Sequence, residues 1–166
     1  MLPKLVRKCG VCLSEGLNVS NVIQVLDTSF IIEDTELESQ CLQLIVEEAR
    51  SVFAGTEILS ASPQSMETIH VLQMNRILIK ETVIYETCIA WAKHQHRLNN
   101  SIEDHPTDQQ IREILGDLLY KIRFPVMEVT EFAAITENKS NILTAENVNL
   151  LLPSDKGEWF SIKVFD

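Results

Sequence analysis

Apolar residues recur along most of this chain at the spacing of an α-helix. The clearest run lies near the middle, at residues 80–94, where Ile84, Cys88, Trp91 and Ala92 fall at i, i+4, i+7 and i+8. Glu81, Glu86 and Lys93 fall off that stripe. The pattern predicts a helix with one buried face, on which Trp91 is the largest anchor. Upstream, Leu2, Leu5, Val6, Cys9, Cys12 and Leu13 form a first stripe, with Pro3 suited to a first helical turn and Gly16 to the stop. Ser20 is the expected N-cap of a second helix carrying Val22, Ile23, Leu26 and Phe30 on one face. Thr35 and Glu38 have capping-box spacing and open a third helix. Its expected inner face is Leu37, Cys41, Leu44, Ile45, Ala49 and Val52, with Glu36, Glu38, Glu47 and Glu48 outward and Gly55 as the stop. Ser62 and Pro63 start a fourth helix with Met66, Ile69 and Leu72 inside.

The central helix is expected to run out near Arg97, before a polar loop over residues 98–106. Thr107 and Gln110 form a second capping box, followed by the stripe Ile111, Ile114, Leu115, Leu118 and Ile122. Pro125 should end that helix, because it lacks an N–H and restricts Phe124. Val129, Phe132 and Ala133 predict one short helix, and Thr144 caps another through Val148 and Leu151. Residues 158–165 are rich in β-formers and follow Pro153 and Gly157. The fold expected is all-α, a stack of antiparallel helix pairs with a short β-like C-terminal tail. Its expected core includes Leu37, Cys41, Ile45, Ile84, Cys88, Trp91, Leu115, Leu119, Pro125 and Phe132.

Composition supports helices over a β-sandwich: 166 residues with 45% hydrophobic content hold only 5 Gly and 5 Pro. The length allows one domain with a core that needs no metal or disulfide. A net charge of −10 repels nucleic acid and anionic membrane over most of the surface, so neither is an expected partner. No apolar run reaches membrane-spanning length and no signal peptide is visible. The chain is therefore expected to be cytoplasmic, its four cysteines reduced, and the sequons at Asn18, Asn99 and Asn138 chance matches.

Little in the chain points to catalysis. Cys9-Gly-Val-Cys12 is a C-x-x-C pair, the spacing of a redox motif or of half a zinc site. A redox pair should follow a strand, and none precedes it. A zinc site needs two further ligands, which Cys88, His94 and His96 could supply only across the fold. The i, i+3 spacing also fits two small apolar residues on one helix face, which is the favoured reading. Cys88, His94, His96 and His105 form no recognisable ligand or nucleophile set, and no metalloprotease, phosphate-loop or serine-hydrolase motif is present. Arg123 could bind an acidic group, but an Arg near a helix C-terminus usually just favours the dipole. The expectation is no enzyme, no cofactor and no metal.

Several stretches resemble the 3-box and BACK region of BTB-BACK proteins. They are the opening Leu2-Pro-Lys-Leu-Val-Arg-Lys-Cys, Phe30-Ile-Ile-Glu-Asp-Thr-Glu-Leu with Cys41, Val83-Ile-Tyr-Glu-Thr-Cys with Trp91-Ala, Leu115-Gly-Asp-Leu-Leu-Tyr-Lys-Ile-Arg-Phe-Pro-Val-Met, and Glu131-Phe-Ala. Asn141-Ile-Leu-Thr-Ala-Glu is similar to the segment before a PHR domain, so the chain looks most like the BTB-BACK-PHR subgroup. The resemblance implies four parts. Residues 1–16 are the last helix of an upstream BTB domain; 17–55 are the 3-box helix pair and the start of BACK; 56–148 are BACK; and 149–166 are a linker or the truncated start of a β domain. It also implies a non-catalytic adaptor segment of a cullin-3 ubiquitin ligase, spacing a cullin-binding BTB domain from a downstream domain that reads the substrate protein. At 3-box positions Val22, Leu26 and Phe30 are the expected cullin-groove anchors. The alternatives are a cullin-independent helical scaffold, self-association through apolar end segments that strengthens with salt, and, remotely, a zinc or redox protein using Cys9 and Cys12.

Overall fold

A computed structural model of the protein describes residues 2–76, 79–99, 105–137 and 142–143. Among the described residues every regular element is helical, and they divide into two units, Met1–Ile79 and Lys80–Asp166.

The first unit holds α1 (Leu2–Glu15), α2 (Val22–Ile32), α3 (Thr35–Glu47), α4 (Ala49–Ala54), a 3-10 turn at Glu57–Ser60 and α5 (Pro63–Arg76). Helices α2 and α3 form a hairpin whose corner is only Glu33 and Asp34. Glu33 adopts the left-handed conformation (φ 55°), and its N–H donates to the Phe30 carbonyl oxygen while that of Asp34 donates to Ser29. Asp34 then caps α3 by accepting from the Leu37 N–H at 3.1 Å. The cap is thus one residue earlier than the Thr35–Glu38 box expected from spacing. The second helix is likewise entered at Asn21, whose side chain accepts from the Asn18 N–H, rather than at Ser20. At α3 the Asp34 carboxylate already reaches a free first-turn donor, so the Thr35 hydroxyl is not needed; at α2 no side chain caps the first turn.

Leu37, Cys41, Ile45, Ala49 and Val52 are buried as the stripe predicts, with Leu44 half-buried. The expected single helix is kinked at Glu48, yet hydrogen bonds from Glu48 N to Leu44 O and from Val52 N to Glu48 O carry the helical ladder across the kink. The stripe therefore stays on one side. Gly55 ends α4 as expected. Helix α5 starts at Pro63, after Ser62, whose Oγ accepts from the Ser65 N–H at 3.1 Å. The expected inward positions Leu2, Leu5, Val6 and Leu72 lie outside the residues whose side chains are described.

The second unit holds α6 (Glu81–Asn99), α7 (Asp108–Leu115), α8 (Leu118–Lys121), a 3-10 turn at Phe124–Val126 and α9 (Val129–Glu137). On α6 the stripe is as predicted: Ile84, Cys88, Trp91 and Ala92 are all at most 1% exposed. Helices α6, α7 and α8 pack on one another. The Thr107–Gln110 capping box forms in full.

The helix that follows is shorter than its stripe suggests. Gly116, at φ 47° and ψ −126°, stops α7 in a conformation that only glycine adopts without strain. The chain restarts as α8 and ends it at Ile122, which is extended. Ile111, Leu115, Leu118, Leu119 and Ile122 are nevertheless all buried. Pro125 is exposed and so is not core; Phe124 is the buried residue of that pair. The proline serves the backbone, setting φ at the 3-10 turn, while Phe124 fills the interior. Phe124 meets Tyr85 and Phe132 edge-on, with ring centroids 5.8 and 6.0 Å away, and so ties the turn to α6 and α9. The helix expected from Thr144 and the β-rich tail at 158–165 lie outside the described residues.

Candidate partner-binding surface

Helix α2 carries the expected anchors, and its burial pattern sorts them. Val22, Ile23, Val25, Leu26 and Ser29 are buried and form the face turned to the rest of its unit. Val22 and Leu26 are 0% exposed. They are core residues, because an amphipathic helix spends its widest apolar face on its own domain, and a side chain without exposed surface cannot anchor a partner. Phe30 keeps partial exposure at the C-terminal turn. Ile31, which periodicity did not single out, is 81% exposed beside it. The apolar side chains of α2 that keep exposed surface are therefore Phe30, Ile31 and Ile32, next to the Glu33–Asp34 corner.

The strongest polar features of each unit hold structure. In the first, the Asp27 carboxylate of α2 accepts from the Ser62 N–H at 3.2 Å and from Ser65 Oγ at 2.5 Å. A side chain of α2 thus satisfies donors at the start of α5, which otherwise have no intrahelical partner. In the second, Glu81 is 6% exposed, not solvent-facing as the stripe implied. Its Oε1 accepts from the Arg123 backbone N–H at 2.7 Å and from Nε at 3.2 Å, and Oε2 accepts from Nη2 at 3.0 Å. Arg123 therefore does not serve a helix C-terminus; it forks onto the carboxylate and fixes the turn after α8 to the start of α6. A buried carboxylate is tolerated here because the fork and a backbone donor saturate it.

The cysteines fall into two kinds. Burial pushes the Cys41 thiol up to about 11, and burial followed by the nearby Glu81 charge pushes Cys88 up to about 12. Both stay protonated thiols packed as small apolar groups, unsuited to nucleophilic work. Burial likewise lifts Tyr85 to about 12, with Asp108 adding to it. Cys9 and Cys12, expected on the apolar stripe of α1, are exposed. His96 is buried, His94 half-buried and His105 exposed. Among the described residues no group of three or more His, Cys, Asp or Glu side chains could hold a metal ion, and no helix is long and apolar enough to cross a membrane.

Comparison with known proteins agrees with this helical arrangement. The family described as "BACK: BTB And C-terminal Kelch" matches residues 22–137. The human BTB/POZ domain-containing protein 3 is 28% identical over 152 residues, covering 90% of this chain and 27% of that protein. The zebrafish (Danio rerio) BTB/POZ domain-containing protein 6-B is 26% identical over 149 residues, covering 90% and 30%. The human BTB/POZ domain-containing protein 6 is 27% identical over 149 residues, covering 90% and 27%. The chain thus spans little more than a quarter of the length of the curated relatives it matches. No solved structure matches. The family match runs from the first residue of α2 to the last of α9, across both the α2–α3 hairpin and the Trp91 helix, and the chain belongs to the BTB-BACK family through its BACK domain.

Proposed function

We propose that this chain is the helical segment of a cullin-3 ubiquitin-ligase adaptor, a non-catalytic spacer between a cullin-binding BTB domain and a substrate-reading domain. The observation that carries the reading is the family match across residues 22–137, joined to relatives whose names place a BTB/POZ domain in the same protein. The geometry is in keeping with it. Asp27, Glu81 and Arg123, the most elaborate polar groups among the described residues, are engaged in holding helix starts and turns. Helical units with few exposed apolar anchors among the described residues suit a spacer that meets a partner along a helix face.

Within this reading, Phe30 and Ile31 at the end of α2 take over the role expected of Val22, Leu26 and Phe30. The test is capture of cullin-3 by this chain and by a longer protein carrying a BTB domain ahead of it. Capture by the longer protein that weakens severalfold on Ile31→Asp supports both the role and the surface. If neither protein captures cullin-3, the adaptor reading fails and a cullin-independent helical scaffold takes its place. A cytoplasmic location belongs to the same proposal and is read by imaging the tagged protein.

A further inference from the structure

Gly10 has no part in the readings above. It stands in the interior of α1, where glycine weakens a helix because its unfolded chain has the most freedom to lose. It is buried, and α1 packs on α2 and α3. A Cβ on residue 10 would sit 2.6 Å from Oδ2 of Asp34 and 3.7 Å from its Cγ. The second distance is ordinary contact and the first is a clash. Oδ2 ends a side chain that is not free to swing, because Oδ1 of the same carboxylate caps α3 at the Leu37 N–H. The Asp34 backbone is held as well: its N–H donates to the Ser29 carbonyl oxygen at 3.0 Å, and that of Glu33, at φ 55°, donates to Phe30 at 3.3 Å. Nor does α1 slide freely, since Ser14 donates to the Gln40 side chain of α3. Any side chain at residue 10 must therefore break the cap, bend the corner or lift α1.

We propose that Gly10 is a positioning residue of the partner surface at the end of α2: it lets α1 seat against the Asp34 carboxylate, and the seated carboxylate fixes the corner from which Phe30 and Ile31 are presented. The inference rests on the partner role proposed for that surface. The chain of contacts is short. Asp34 meets α1 at Gly10 and caps α3 at Leu37, while the N–H groups of Glu33 and Asp34 close the last turn of α2 on Phe30 and Ser29. Glu33 is a non-glycine residue in the left-handed region, a conformation that persists only where its surroundings hold it. The joint lies between α1 and the hairpin, so it needs no exposed part of α1. It works by shape, and shape can be restored from the other side. Serine caps a helix about as well as aspartate. Its Oγ ends where aspartate has Cγ, 3.7 Å from a Cβ on residue 10. Asp34→Ser therefore keeps the cap and makes room for the side chain that Gly10 leaves out.

The experiment is a double-mutant cycle of Gly10→Ala and Asp34→Ser in the whole chain, read by thermal melts and by hydrogen exchange at the Glu33 and Leu37 amides. Gly10→Ala alone should lower the melting temperature by roughly 2–8 °C, the shift that a lost helix cap gives a chain of this size. It should also speed exchange at both amides severalfold. In the Asp34→Ser background the same substitution should raise the melt, since alanine is the better helix former once the clash is gone, and leave exchange unchanged. Ser14→Ala should lower the melt without altering either amide, because it loosens α1 and leaves the carboxylate in place. In the longer protein with a BTB domain ahead, Gly10→Ala should weaken cullin-3 capture severalfold, and adding Asp34→Ser should restore it. No capture by the wild-type protein would sink the adaptor reading, and the exchange data would still decide whether Gly10 fixes the corner. A wild-type melt that Gly10→Ala leaves unchanged or raises, equal effects in both backgrounds, exchange that Ser14→Ala speeds as much, or a capturing protein indifferent to Gly10→Ala would each overturn the proposal.

Discussion

The two units solve the same problem in different ways. In the first, the interior side chains of α2, α3, α4 and α5 are mostly apolar, with Ser29, Ser65 and His70 buried among them, and Asp27 sits where one helix meets the start of another. In the second, one long helix, α6, carries the interior, and the rest is a sequence of short pieces: α8 has 4 residues and the turn at Phe124–Val126 has 3. Segments that short do not hold themselves together, since a helix must pass a costly nucleus before it propagates. They are fixed from outside instead, by the Glu81–Arg123 fork and by Phe124 between Tyr85 and Phe132. The lesson is that long helices draw their order from periodicity and burial, while broken segments draw theirs from a few specific side-chain contacts.

That contrast can be pressed first where the expected effect is largest. Trp91 is 1% exposed, and Trp91→Ala should destabilise by about 3–5 kcal/mol through lost burial and the cavity left behind. A thermal melt that hardly moves would separate α6 from the interior of its unit and remove the difference drawn above.

Next is Arg123→Ala, which leaves Glu81 as a nearly buried charge without its fork. Removing one partner of a fully buried pair costs about 3–5 kcal/mol. The Arg123 side chain is 35% exposed, so solvent screening lowers the expectation to roughly 2–3 kcal/mol. Chemical denaturation of wild type and variant measures this, and an unchanged midpoint would mean that the fork adds nothing to stability.

In the first unit, Asp27→Ala removes the acceptor for Ser62 and Ser65 and should cost about 1–2 kcal/mol, the range of a lost helix cap. Gly116→Ala should cost about 1–3 kcal/mol, because alanine is strained at φ 47°, ψ −126° while its Cβ meets nothing closer than 3.9 Å. A neutral outcome at Gly116 would show that the α7–α8 break relaxes freely.

The smallest effect concerns the surface pair Lys80–Glu131, at 2.7 Å. The hydrogen bond from Lys80 lowers the Glu131 carboxyl below its usual value, and the same bond raises Lys80 above its own. Its contribution is therefore present between the usual carboxylate and lysine ranges. It is lost below as pH falls through the lowered Glu131 value, and above as pH rises through the raised Lys80 value. In an NMR titration Lys80→Met should return the Glu131 midpoint to the ordinary carboxylate range, with no measurable shift in the melt.

The sequence by itself determined the helical class, the stripe Ile84, Cys88, Trp91 and Ala92, the inner face of α3, the Thr107–Gln110 box and the stop at Gly55, because each rests on contacts between residues three or four apart. It also carried the family resemblance. Only the tertiary structure decided the rest. Asp34 takes the cap from Thr35 because its carboxylate already reaches Leu37, and Glu81 turns inward because Arg123, 42 positions along the chain, comes to meet it. Pro125 gives its core place to Phe124 because the turn that it shapes points the neighbouring ring inside. The candidate partner surface followed the same rule. Val22 and Leu26 share a face with Phe30 in periodicity, but α3 and α5 pack against α2 and consume most of that face, leaving Phe30, Ile31 and Ile32 with exposed surface at its end. A period marks which residues are alike; which of them meet water depends on what packs against the helix, and that information lies far away in the chain.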